Sequence, residues 1–110
     1  MNLVEVVRGA ATSDATVATV VAHAKRLGKI PVVVRDSPGF VVNRVLMPYL
    51  HEAVEMAREG IEPARIDRVS REFGMPLGPF ELYDKVGLDT AFYCGLVLSA
   101  AYGDRIDASP

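Results

Sequence analysis

The spacing of apolar residues changes character once along this chain, near Asp36. Before it, "LVEVV" at residues 3–7 is rich in Val and Leu and stops at Arg8-Gly9, which predicts a short strand. From Thr12 onward, Val17, Val20, Val21, Ala24 and Leu27 recur at helical spacing. Thr12 or Ser13 can cap the first amides of that helix, Lys25 and Arg26 suit its C-terminal dipole, and Gly28 can stop it. "IPVVV" then predicts a second strand, with Pro31 near its start where a missing amide is tolerated. Residues 2–35 therefore read as a strand–helix–strand unit of the kind found in doubly wound sheets. Two strands make a poor sheet, so they look like the end of a larger one.

After Asp36 the periodicity is helical throughout. A first helix is predicted from about Pro38 to Glu59, closed by Gly60. Pro63 opens a second, with Ile66, Val69 and Phe73 as its buried stripe and Gly74 as its stop. Pro79 and Gly87 bracket a short third helix. Asp89 is expected to cap the last one, which ends at Gly103, and residues 104–110 read as a frayed tail. The predicted fold class is mainly α: a β-α-β unit over 1–35 at the end of a larger sheet, then a four-helix domain over 36–110.

Composition narrows the function. The chain has 110 residues, half of them apolar, enough for one modest core. The net charge of −2 comes from charges mixed in sign, and no basic stripe points to nucleic acid or to an anionic membrane. A single cysteine, Cys94, excludes an internal disulfide and fits a reducing compartment. No apolar run approaches a membrane span, and residues 1–15 lack the marks of a signal peptide. A soluble, cytoplasmic piece is expected.

Two residues stand out chemically. In a strand, Leu3, Glu5 and Val7 face one way and Val4 and Val6 the other, so Glu5 sits on a largely apolar face. A carboxylate there needs a partner, since burying it alone costs several kcal/mol or more. It either orients and charges a catalytic base or lies in water on an edge strand. Asn43 is an amide in the first apolar turns of a helix, on the side of Phe40, Met47 and Leu50. It can donate and accept at once, which suits holding a carbonyl, a hydroxyl or a nicotinamide. Equally, it can bond local backbone at a helix start. Pro48 removes the amide that would bond the Arg44 carbonyl and is expected to kink the helix.

Other candidates are weaker. His51, Glu55 and Glu59 are spaced by four but share a face with Glu52 and Arg58, which reads as solvated surface rather than a metal site. "HEAVE" lacks the second histidine of a zinc-protease helix. His23 should lie at the boundary of its helix, and Cys94 reads as a small core side chain. There is no G-x-G-x-x-G, no phosphate loop, no nucleophile elbow and no completable triad, so a self-sufficient enzyme is improbable.

The ordered motifs LVEV, GK-P-VVV, D-x-PGF-x-VNR and G-x-P-x-GPFEL-D-x-VG-DT closely resemble the L-3-hydroxyacyl-CoA dehydrogenase family, from about Leu3 to Ala91. The likeness is strongest to the dehydrogenase segment of multifunctional fatty-acid oxidation α-subunits. It implies a nucleotide domain, a helical C-terminal domain of that family's type, NAD as hydride acceptor and an acyl-CoA substrate. Glu5 corresponds to the glutamate that pairs with the family's catalytic histidine, and Asn43 to the asparagine that contacts the substrate's reacting end. The glycine-rich loop and the H-F-x-N-P motif carrying that histidine would lie before residue 1, so the isolated chain is expected to be inactive. The resemblance also implies a homodimer or, given the sticky strand pair, a strand-exchanged assembly, and a thiolase subunit as partner in the parent complex. The compartment would be the cytoplasm, or the mitochondrial matrix in a eukaryote. A non-catalytic oligomerisation or acyl-CoA-binding module is the alternative. A dehydrogenase of other hydroxy acids is disfavoured by the GPFEL-D-x-VG-DT stretch.

Overall fold

The computed structural model describes residues 2–105, which fall into two compact units divided between Val42 and Asn43. The first unit is strand, helix, strand: β1 (Leu3–Arg8), α1 (Asp14–Arg26) and β2 (Ile30–Arg35). The strands pair in parallel, with Glu5 opposite Val32 and Val7 opposite Val34. Ser13 is the cap that starts α1, its hydroxyl accepting the Thr16 amide at 3.1 Å. Beyond its end, Gly28 takes a positive φ of 69°. Val6 and Val34, which alternation places on opposite faces of the sheet, are both buried, together with Val17 and Ala24 of α1. Ile30, Val32 and Val33 remain exposed, as expected of an incomplete sheet.

The chain does not pass from β2 straight into a helix. The Phe40 amide donates to the Ser37 carbonyl at 2.9 Å, and Gly39 and Phe40 both have positive φ, 71° and 43°. Two successive residues in the left-handed region cannot continue a right-handed helix. The helix expected from Pro38 therefore begins at Val42, and Phe40 lies in the turn before it.

The second unit contains α2 (Val42–Arg58, starting at the boundary), α3 (Pro63–Phe73), α4 (Pro79–Val86) and α5 (Leu88–Tyr102), closed by a 3-10 turn at Gly103–Arg105. Thus the mainly helical plan holds, with four helices after the strand pair. The part of the expected tail beyond residue 105 lies outside the described residues. Leu50, Ala53, Ile66, Pro79, Ala91 and Leu98 form the core, and α2 runs through Pro48 as one element.

The stripe expected on α3 is not the buried one. Ile66 is buried, but Val69 is exposed and Phe73 is 88% exposed. What α3 turns inward beside Ile66 is Asp67, only 7% exposed. Its two oxygens accept the amides of Phe80 at 2.8 Å and Glu81 at 3.2 Å, the orphan donors at the start of α4. This capping across elements, rather than the apolar stripe, sets the inward face of α3.

The same contact explains the Gly-Pro start of α4. A Cβ on Gly78 would lie 2.3 Å from Asp67 Oδ1 and 2.4 Å from its Cβ, so only glycine fits. Pro79 takes the first helical position, where its missing amide costs nothing. Glu81 reaches back to the Gly78 amide at 2.9 Å and pairs with Arg71. Asp89, expected as the cap of α5, instead lies in its first turn, and Gly87 at φ 94° is the capping residue. The axes of α4 and the helical stretch Leu88–Arg105 meet at 101°. Among the described residues no single helix is long and apolar enough to cross a membrane.

Candidate functional site

Glu5 sits at the middle of β1, half-buried, where alternation presents it on the side of Leu3 and Val7. Its Oε1 accepts the Val41 amide at 2.8 Å and the Val42 amide at 3.1 Å. These are first-turn donors of α2 with no intrahelical partner. A carboxylate receiving two aligned N–H groups at a helix start gains charge-assisted hydrogen bonds and a favourable dipole. Neither reading of Glu5 from sequence included these amides. Both bonds converge on one oxygen, so the second can still face an imidazole.

Asn43 is the second residue of α2 and belongs to the other unit. Its Nδ2 does not turn to local backbone but donates to Cys94 Sγ on α5, at 3.8 Å. A thiol is a weak acceptor. Asn43, Met47 and Leu50, on one side of α2, wall a cavity of about 110 Å³. Tyr83 of α4 and Ala91 and Cys94 of α5 face them across it. Cys94, expected in the core, is half-buried and lines this cavity instead. Burial raises the Tyr83 phenol above its usual pKa, so at neutral pH it remains a neutral wall residue.

Two weaker candidates lie toward the surface. His23 is exposed, and Glu55 pairs with Arg58 at 3.1 Å on the surface of α2. Among the described residues no group of His, Cys, Asp and Glu could hold a metal ion. Sequence reasoning missed Asp67, whose signal was an acid beside Ile66 at the centre of a helix with a Gly-Pro start shortly after it. It also missed Arg44, whose guanidinium lies 4.9 Å from the Tyr102 ring centroid. Tyr49, whose hydroxyl is buried with no hydrogen-bond partner among the described residues, had no sequence signal.

Known proteins match both units. Residues 1–37 match the family described as 3-hydroxyacyl-CoA dehydrogenase, NAD binding domain, and residues 39–110 the one described as 3-hydroxyacyl-CoA dehydrogenase, C-terminal domain. The chain is 51% identical over 107 residues to the fatty acid oxidation complex subunit alpha of Idiomarina loihiensis, covering 96% of this chain but 15% of that one. A solved (S)-3-hydroxybutyryl-CoA dehydrogenase from Ralstonia eutropha superposes with a TM-score of 0.84 at 45% identity, over 94% of this chain and 38% of that one. A 3-hydroxybutyryl-CoA dehydrogenase from Escherichia coli gives 0.82 at 39% identity, over 94% and 22%. The chain thus spans well under half the length of these relatives. With one domain matched after the other in order, it belongs to the 3-hydroxyacyl-CoA dehydrogenase family.

Proposed function

We propose that this chain is the central part of an enzyme that oxidises an L-3-hydroxyacyl-CoA to the 3-ketoacyl-CoA in fatty-acid oxidation. The observation that carries the reading is the pair of consecutive family matches; the roles given to Glu5 and Asn43 rest on the resemblance of their motifs. NAD is the cofactor, and when bound it accepts the hydride. The described residues offer it no phosphate cradle: in the β1–α1 turn the Gly9 amide donates to Thr12 Oγ1 and the Ser13 hydroxyl takes the Thr16 amide. Its binding residues are therefore assigned to sequence outside this chain.

What this chain supplies is orientation. Glu5 holds the imidazole of a histidine base in the tautomer that can take the hydroxyl proton, and favours the imidazolium that forms. Asn43 exchanges its thiol partner for the oxygen on the carbon that loses hydride, fixing it for transfer. In this reading residues 1–35 are the end of the cofactor domain, and 36–110 are the substrate and dimerisation domain. The parent is a multifunctional α-subunit working beside a thiolase, in the cytoplasm or a mitochondrial matrix.

The test is the reading frame upstream of Met1. An H-F-x-N-P motif and a G-x-G-x-x-G loop should precede Leu3, and the extended protein should reduce NAD with L-3-hydroxyacyl-CoA. Glu5→Gln and Asn43→Ala in that protein should each lower kcat by about 10²-fold or more. An extended protein that binds acyl-CoA but never reduces NAD would instead support the non-catalytic module.

A further inference from the structure

We propose that Asp67 is a positioning residue for the reaction: from α3, outside the cavity beside Asn43, it sets where α4 stands as the wall facing Asn43. This rests on the dehydrogenase reading above, which makes Asn43 the contact to the reacting end. Asp67 lines no part of the cavity. Among the described residues it is nevertheless the one buried charged side chain, and both of its oxygens are bonded to α4. A buried carboxylate is costly unless paired, so the start of α4 is held where those oxygens are. Every first-turn amide of α4 is taken: Gly78 by Glu81 Oε2, Phe80 and Glu81 by Asp67, while Pro79 has none. Arg71, one turn beyond Asp67 on α3, holds the Glu81 carboxylate. Two side chains of α3 thus clasp one turn of α4, and the missing Cβ at Gly78 lets the two elements close.

The clasp acts on the wall because α4 is short. Its 8 residues span about 12 Å, too few to hold a direction alone. Leu82 and Tyr83 follow the clasped turn directly, Val86 ends the helix, and all three line the cavity. Phe80, whose amide Asp67 holds, packs its ring against Tyr83 with centroids 6.4 Å apart. A displacement at the cap therefore reaches the wall facing Asn43 within one turn. At the other end Gly87, with φ 94°, leads straight into α5, which presents Ala91 and Cys94 to the same cavity.

Two variants and two readouts test this. Asp67→Asn keeps the size of the side chain but turns an N–H toward one of the two amides. Arg71→Gln removes the second half of the clasp at a half-exposed residue, which the fold should tolerate. In the 110-residue chain the Tyr83 phenol, identified by its loss in Tyr83→Phe, is titrated by NMR. Burial holds it above its usual pKa, so a loosened wall that admits water should lower it in both variants. Charge alone predicts opposite signs: losing the Asp67 anion lowers a phenol's pKa, and losing the Arg71 cation raises it. In the extended protein both variants should raise KM for L-3-hydroxyacyl-CoA, Asp67→Asn by about tenfold. A variant that merely unfolded part of the enzyme would lower the apparent kcat and leave KM alone. Ile66→Val, which loosens the same helix without touching the clasp, should move neither the phenol nor KM. An unmoved phenol, opposite shifts in the two variants, or a lowered phenol with unchanged KM would overturn the positioning role. Should Asp67→Asn not fold, Arg71→Gln decides by itself, because loosening and charge move its phenol in opposite directions. An extended protein that never reduces NAD would refute the dehydrogenase reading, while the Tyr83 shifts would still decide whether Asp67 sets the wall.

Discussion

Glu5 meets two demands that differ in what they need from the side chain. Orienting an imidazole needs a carboxylate, whereas holding the Val41 and Val42 amides needs an acceptor at Oε1. The second demand exists in this chain with no histidine base present. Glu5→Ala should therefore destabilise the isolated chain by about 2 kcal/mol, the scale of a lost cap with charge-assisted bonds, and Glu5→Gln by about 1 kcal/mol, since the amide oxygen still accepts. Urea unfolding midpoints would measure both, and an unchanged midpoint for Glu5→Ala would remove the capping role. That a carboxylate on this face needs a partner was legible in the alternation of β1. Which partner was not, because the amides come from a turn more than thirty residues on, shaped by positive φ at Gly39 and Phe40. Asn43 was similar: the amide on an apolar side was visible, its thiol partner on α5 was not.

At the scale of elements, α4 shows how a helix too short to stand alone is held. Its Gly-Pro start and glycine stop were plain in the sequence, because they are local backbone requirements. Its stability is not local: the Asp67 carboxylate on α3 satisfies the amides of Phe80 and Glu81. Gly78→Ala should cost about 3 kcal/mol or more, because the new methyl meets the Asp67 Cβ and not merely a movable side-chain end. Asp67→Ala should cost about as much by stranding two amides. Thermal unfolding of the two variants, with helix content by circular dichroism, checks both costs. Glu81 adds a pH dependence. The Gly78 amide and then Arg71 hold its carboxyl below the usual value, so its contribution is present above the unfolded carboxylate pKa and fades as pH falls through the lowered folded one. Glu81→Gln should flatten the acid limb of a stability–pH profile; an identical slope would show that the contact is not made in solution.

For the whole molecule, exposed apolar surface is the dominant fact. Along α5, Phe92, Tyr93, Leu96 and Val97 are all exposed, and on β2 so are Ile30, Val32 and Val33. A helix apolar on every side belongs in an interior, and an unfinished parallel sheet seeks further strands. We therefore expect the chain to dimerise through α5 or by strand exchange. Light scattering after size exclusion should give twice the monomer mass, and Leu96→Asp should return the α5-mediated form to monomer. A monomeric parent chain would sink this expectation, and a dimer that survives Leu96→Asp would point to the strands.

The order of elements, their stops and the family itself followed from residues near in sequence, since caps, periodicity and motif spacing are local properties of the chain. The inward face of α3, the delayed start of α2, the double use of Glu5 and the cavity beside Asn43 were decided only on folding. Each depends on a polar group finding its partner, or an apolar wall its opposite, across a distance that sequence pattern does not record. Burial makes those pairings obligatory, because an unpaired polar group away from water costs more than a misplaced apolar residue left exposed on the surface.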